Sequence, residues 1–129
     1  MKPPIEIVAA VIRDDCGRTL LVRKQGTEAF MQPGGKREPG EDDLTALARE
    51  LDEELGLAIV GGSPVALGTF RARAANETDR EVVAAVYDVA VAGTAAPRAE
   101  IAEILWFDPE NPPQVVVAPL TRDHILSRQ

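Results

Sequence analysis

A single α/β or α+β domain is the fold class this sequence predicts, on three observations. Apolar, β-branched runs stand before and after the middle of the chain, one strongly amphipathic helical segment lies between them, and a second helical segment closes the sequence. Strands on both sides of a central helix, with another helix at the end, suit a sheet covered by helices. No internal repeat and no linker divides the chain, so one domain over residues 1–129 is expected.

The elements follow in order. Ile5 to Arg13 and Thr19 to Arg23 are apolar and β-branched, and Asp14-Asp15-Cys16-Gly17 between them reads as a hairpin turn. Ala29 to Gln32 is a short strand candidate that ends at Pro33-Gly34-Gly35, a run poorly suited to a helix or a central strand. Gly40-Glu41-Asp42-Asp43 carries helix-start chemistry, with acidic groups placed at the positive end of the helix dipole. Leu44, Leu47, Ala48, Leu51 and Leu55 then form an apolar stripe at helical spacing, and Gly56 stands where a left-handed residue ends a helix. Val65 to Ala72, Glu81 to Val91 and Ile104 to Phe107 read as strands. Asn76-Glu77-Thr78-Asp79 is a polar connection, Ala92 to Ala99 a loop, and Glu110-Asn111-Pro112-Pro113 a break. Leu120 to Leu126 is the closing helix candidate.

Composition narrows the partners. The chain has 129 residues, 45% of them hydrophobic, enough for a core without metal or disulfide staples. Its one cysteine, Cys16, excludes an internal disulfide and fits a reducing, cytoplasmic setting. No segment reads as a signal peptide or a membrane span, so no membrane partner is expected. A net charge of −7 argues against nucleic-acid binding, which needs clustered Lys and Arg. It does not exclude a small phosphorylated substrate, because divalent cations can sit between two anions.

The helix carries the chemistry. At about 100° per residue, Glu50, Glu53 and Glu54 stand at i, i+3 and i+4 beside the apolar stripe, where like charges repel. A solvated acidic surface is the bland alternative for these three alone. A Gly-rich turn precedes them, so backbone carbonyls can approach a ligand unobstructed. Carboxylates with a nearby carbonyl make an all-oxygen site suited to Mg²⁺, or to Mn²⁺, rather than to zinc. Arg49, on the opposite flank, is placed to pair with Glu41 and fix the loop against the helix.

Gly35, Glu41, Arg49-Glu50-Leu51, Glu53-Glu54 and Gly56-Leu57 match G-x5-E-x7-R-E-U-x-E-E-x-G-U at every specified position, U being a bulky aliphatic residue. The expected chance of this in such a chain is roughly 10⁻⁷ on average residue frequencies. The segment resembles the Nudix box. The resemblance implies the Nudix fold, an α/β/α sandwich with a mixed β-sheet, and metal-assisted water attack on the diphosphate of a nucleoside diphosphate linked to another moiety. It assigns catalysis to Glu50, Arg49 and Glu53, with Glu50 as the candidate base and Glu100 or Glu103 as candidates for a distant acid. Metal binding falls to Glu50, Glu53, Glu54 and a glycine carbonyl, Gly34 or Gly35.

Arg71, Arg73 and Glu103 are the candidate substrate-binding residues, and a small nucleotide is the expected partner. Homodimerisation is compatible, since many relatives in that family are dimers. The Trp106 to Leu120 segment is similar to the tail of mutator-type nucleoside triphosphate pyrophosphatases. Val117-Ala118 replaces the asparagine that reads oxidised guanine there. Phe30, Phe70, Tyr87, Trp106 and Phe107 are read as core, and His124 as capping or decorating the last helix. Two alternatives stand beside the hydrolase: a catalytically silent nucleotide-binding or regulatory domain of the same fold, and an interaction protein whose acidic helix is a docking face.

Overall fold

The structure is a computed structural model, and residues 2–77 and 79–126 are described. Met1, and Thr78 of the expected polar connection, lie outside the described residues. The chain runs through β1 (Ile5–Val11), β2 (Thr19–Lys24), β3 (Gly34–Gly35), α1 (Asp43–Leu55) and β4 (Ala58–Ile59). It continues through β5 (Val65–Arg73), β6 (Glu81–Asp88), β7 (Val91–Ala92), β8 (Ile101–Phe107) and a closing helical turn, Thr121–Ile125.

A four-stranded mixed sheet in the order β3-β1-β6-β5 is the centre of the fold. β1 runs parallel to β6 and antiparallel to β3, while β5 is antiparallel to β6. Two further antiparallel pairs, β2-β8 and β4-β7, complete the sheets. β1 alternates as a two-sided strand must. Val8, Ala10 and Ile12 join Leu47, Leu51 and Leu55 of α1 in one core cluster. Ala9 and Val11 face the other way, onto Leu120 and Ile125 of the closing turn. The expected helix/sheet/helix layering is therefore present, because burial on both faces of β1 requires a cover on each.

Helix α1 starts where Asp42 Oδ1 accepts the Thr45 N–H at 2.8 Å and ends at Gly56, left-handed at φ 69°. Its apolar stripe is corrected at two positions. Leu44, 41% exposed, and Ala48, also exposed, turn outward, while Ala46 is fully buried in their place. The hairpin expected between β1 and β2 is also corrected. Only its tip closes, through Asp14 N–H to Arg18 O and Leu20 N–H to Ile12 O. Beyond the tip β2 leaves to pair with β8. Ala29 to Gln32 makes only isolated bridges at Phe30 and Met31. Gly34-Gly35, read as a break, instead pairs with Ala9 and Val8 of β1 as the edge strand. β8 begins at Ile101, earlier than expected, and the β4-β7 pair occupies the start of the segment read as a loop.

Candidate active site

Arg49 is the hub of the loop that leads into α1. Its Nε and Nη2 donate to the two carboxylate oxygens of Glu41, each at 2.8 Å, and Nη2 also donates to Lys36 O at 3.1 Å. This fork geometry is the strong form of the Arg–carboxylate bond. Hydrogen bonds from Arg49 lead the causes that pull the Glu41 carboxyl down to about 2. Glu41 leads the causes that raise Arg49, which stays charged. The pairing expected from spacing thus ties Glu41 to the helix. The guanidinium does not keep to the opposite flank, however. Nη1 also donates to Glu50 Oε1 at 2.7 Å and reaches Glu53 Oε2 at 3.5 Å.

Glu50 has its other oxygen against the glycine turn. A Cβ added to Gly35 would strike the Glu50 carboxylate, and one added to Gly34 would strike the Val8 carbonyl. The turn therefore needs glycine at Gly34, where backbone blocks a side chain, while at Gly35 a side chain would displace the Glu50 carboxylate. Glu54 is the most unusual group in the molecule. It is 3% exposed, its Oε1 accepts a long 3.4 Å bond from Gly34 N–H, and its Oε2 is buried without a hydrogen-bond partner. Burial first, and the neighbouring Glu50 charge second, push its carboxyl up to about 8. Such a group is stable either in its neutral form or, when ionised, beside a cation.

Among the described residues, no three Asp, Glu, His or Cys side chains converge into a ready-made metal cage. Glu50 and Glu54 are brought together, while Glu53, with a side chain 55% exposed, leans toward Arg49. The donor set still fits a hard divalent cation: an orphaned buried carboxylate oxygen, a second carboxylate beside it, and a glycine turn packed against that second carboxylate.

Beside this cluster lies a cavity of about 490 Å³. Glu50, Gly34 and Gly35 form part of its wall, together with Lys24, Lys36 and Glu100. Of the two candidate distant acids, Glu100 faces this cleft. Glu103 instead binds Arg23 at 2.8 Å and borders a separate hollow with Phe30 and Val116. Arg71 and Arg73 do not line the cleft either. Both are exposed on the edge strand β5, and Arg71 pairs with Glu81 of the neighbouring strand at 2.8 Å. The reason is register: Phe70 and Ala72 turn into the core, so the arginines between them turn out.

Spacing did not reveal Lys24, Lys36, Gln32 and Asn76, which also border the cleft. The aromatics are core, as expected: Phe30 and Phe107 are buried, Phe70, Tyr87 and Trp106 pack against clusters, and none lines this cleft. His124 stacks on Phe70 with ring centroids 5.3 Å apart.

A mixed sheet carries a carboxylate-bearing helix against a glycine turn, and comparison gives this arrangement a family. The NUDIX domain family matches residues 3–126, and the chain belongs to that family. It is 46% identical over 66 residues to a CTP pyrophosphohydrolase of Escherichia coli, covering 48% of each chain. It is 38% identical over 60 residues to an 8-oxo-dGTP diphosphatase of Haemophilus influenzae, covering 43% of this chain and 44% of the relative. These matches span about half the length of the curated relatives. Among solved structures, a MutT NUDIX hydrolase from Burkholderia pseudomallei superposes with a TM-score of 0.75 at 26% identity, over 90% of this chain and 92% of that one. The MutT protein of Methanosarcina mazei gives 0.69 at 31% identity, over 84% and 80%. No helix among the described residues is long and apolar enough to cross a membrane.

Proposed function

We propose that this chain is a divalent-cation-dependent pyrophosphohydrolase that cleaves the diphosphate of a nucleoside triphosphate or a related nucleotide. One observation carries the reading: the buried, unpartnered Glu54 oxygen beside Glu50, where the glycine turn opens into the cleft. Glu50, Glu53, Glu54 and the Gly35 carbonyl would hold Mg²⁺, or Mn²⁺ in its place. When bound, the cation neutralises diphosphate charge and supplies Lewis acidity.

The rest of the chemistry falls to the chain's own groups. Lys24 and Lys36 on the cleft wall draw in the polyphosphate. A water oxygen attacks a phosphorus of the diphosphate, the bond from that phosphorus to the bridging oxygen breaks, and the water's proton passes to a carboxylate. Glu50 would accept it, with Glu100, which also lines the cleft, the alternative. Arg49 fixes the Glu50 oxygen it binds, so its role is positioning. A nucleoside triphosphate would yield a monophosphate and pyrophosphate. An exposed free thiol at Cys16 is in keeping with action in the reducing cytoplasm.

A second reading, a silent nucleotide-binding domain, draws on the attachment of both Glu50 and Glu53 to Arg49. The discriminating experiment incubates purified protein and Mg²⁺ with nucleoside triphosphates, dinucleoside polyphosphates and nucleotide sugars. Turnover abolished by a chelator and restored by Mg²⁺ supports the hydrolase. Nucleotide binding with no turnover across the panel supports the silent domain.

A further inference from the structure

Gln32 stands immediately before the Pro33-Gly34-Gly35 turn and is 6% exposed. The ladder between β1 and β3 reaches Pro33 through the bond from Ala10 N–H to Pro33 O at 2.9 Å. The reciprocal bond cannot form, because proline has no N–H to donate to Ala10 O. Gln32 Nε2 supplies that donor from its side chain, at 2.8 Å. The Ala10 carbonyl thereby fixes the amide's orientation, since the flipped amide would set two oxygens against each other. Gln32 Oε1 is left as a buried acceptor with no partner, in a residue that forms part of the cleft wall with Glu50 and Gly35. An unmet buried acceptor destabilises the fold, and a ligand donor would recover that loss.

We infer that Gln32 is a specificity-determining residue that accepts a hydrogen bond from the exocyclic amino group of a nucleotide's base; this rests on the proposed hydrolase reading. With its N–H committed to Ala10, the amide offers only an acceptor. Uracil and hypoxanthine offer only ring N–H groups on that edge, set between two carbonyl oxygens in uracil and beside one in hypoxanthine, which repel a lone acceptor, whereas an exocyclic amine projects its N–H groups freely. Aminated bases (cytosine, adenine, guanine) are therefore favoured over uracil and hypoxanthine. Sites built to meet a substrate N–H discriminate strongly against analogues lacking it, because the site group is then left unpaired.

The test measures kcat/KM with Mg²⁺ for three pairs: CTP against UTP, ATP against ITP, and GTP against ITP. Wild type is expected to favour the aminated member at least roughly tenfold in one pair or more. Gln32→Leu, or Gln32→Met where the leucine variant melts well below wild type, is expected to bring that ratio close to one. Ratios near one in all three pairs of the wild type overturn the inference. So does a preference that survives in a variant melting like wild type, or a uniform fall for both members of each pair, which marks Gln32 as structural only. Wild type inactive on all five nucleotides would defeat the hydrolase reading itself, a different result from turnover without base preference.

Discussion

At the scale of single residues, Glu54 is where folding and function conflict. Burial, with the Glu50 charge beside it, pushes its carboxyl up to about 8 from 4.5 unperturbed. A raised acid pKa favours the protonated fold, so its contribution to stability is lost as pH rises from the unfolded value through the folded one. The metal-free protein should therefore lose stability between roughly pH 4.5 and pH 8, by an amount on the order of a few kcal/mol. Glu54→Gln should flatten that slope and melt higher than wild type at pH 8 in chelator. Thermal unfolding across this range measures both, and a variant no more stable than wild type at pH 8 would contradict the burial account. Arg49→Lys tests the neighbouring pair. Lysine keeps the charge and loses the fork that grips Glu41 and Glu50 together, so kcat should fall roughly tenfold to a hundredfold with KM little changed. Steady-state kinetics separates the two constants.

At the scale of elements, α1 must be both a core helix and a bearer of carboxylates. Leu47, Leu51 and Leu55 are fully buried, and Leu51→Ala should cost about 2–5 kcal/mol in denaturant unfolding. Loss of the Asp42 cap in Asp42→Ala should cost about 1 kcal/mol. These features were legible in the sequence because they are local: periodicity, a capping acid, a terminal glycine. The outward turn of Leu44 and the burial of Ala46 were not, because they depend on where the sheet meets the first turn. The same limit explains β3. Pro33-Gly34-Gly35 reads as a break on propensity, yet the glycines fit tightly against β1 as an edge strand, a contact no local rule contains. Arg71 and Arg73 alternate correctly for a strand, but alternation does not say which face meets the cleft.

At the scale of the whole molecule, the box residues were readable because their spacing is local to one loop and one helix. The cleft was not, because Lys24, Gln32, Asn76 and Glu100 come from four separate segments that only the mixed topology brings together. Topology also separated Glu100 from Glu103, candidates three residues apart that border different hollows. On the proposed reading, the carboxylates of α1 near the glycine turn drive cation-assisted diphosphate cleavage. Glu50→Gln keeps the size of the side chain and removes the charge that binds Arg49 and, on the proposed reading, would meet the cation and the proton. The most direct test follows phosphate-bond cleavage of the best nucleotide by ³¹P NMR, with saturating Mg²⁺, for wild type and Glu50→Gln at matched folded fractions. The account predicts that kcat falls about 10²–10⁴-fold in the variant. Cleavage by Glu50→Gln at the wild-type rate would contradict it.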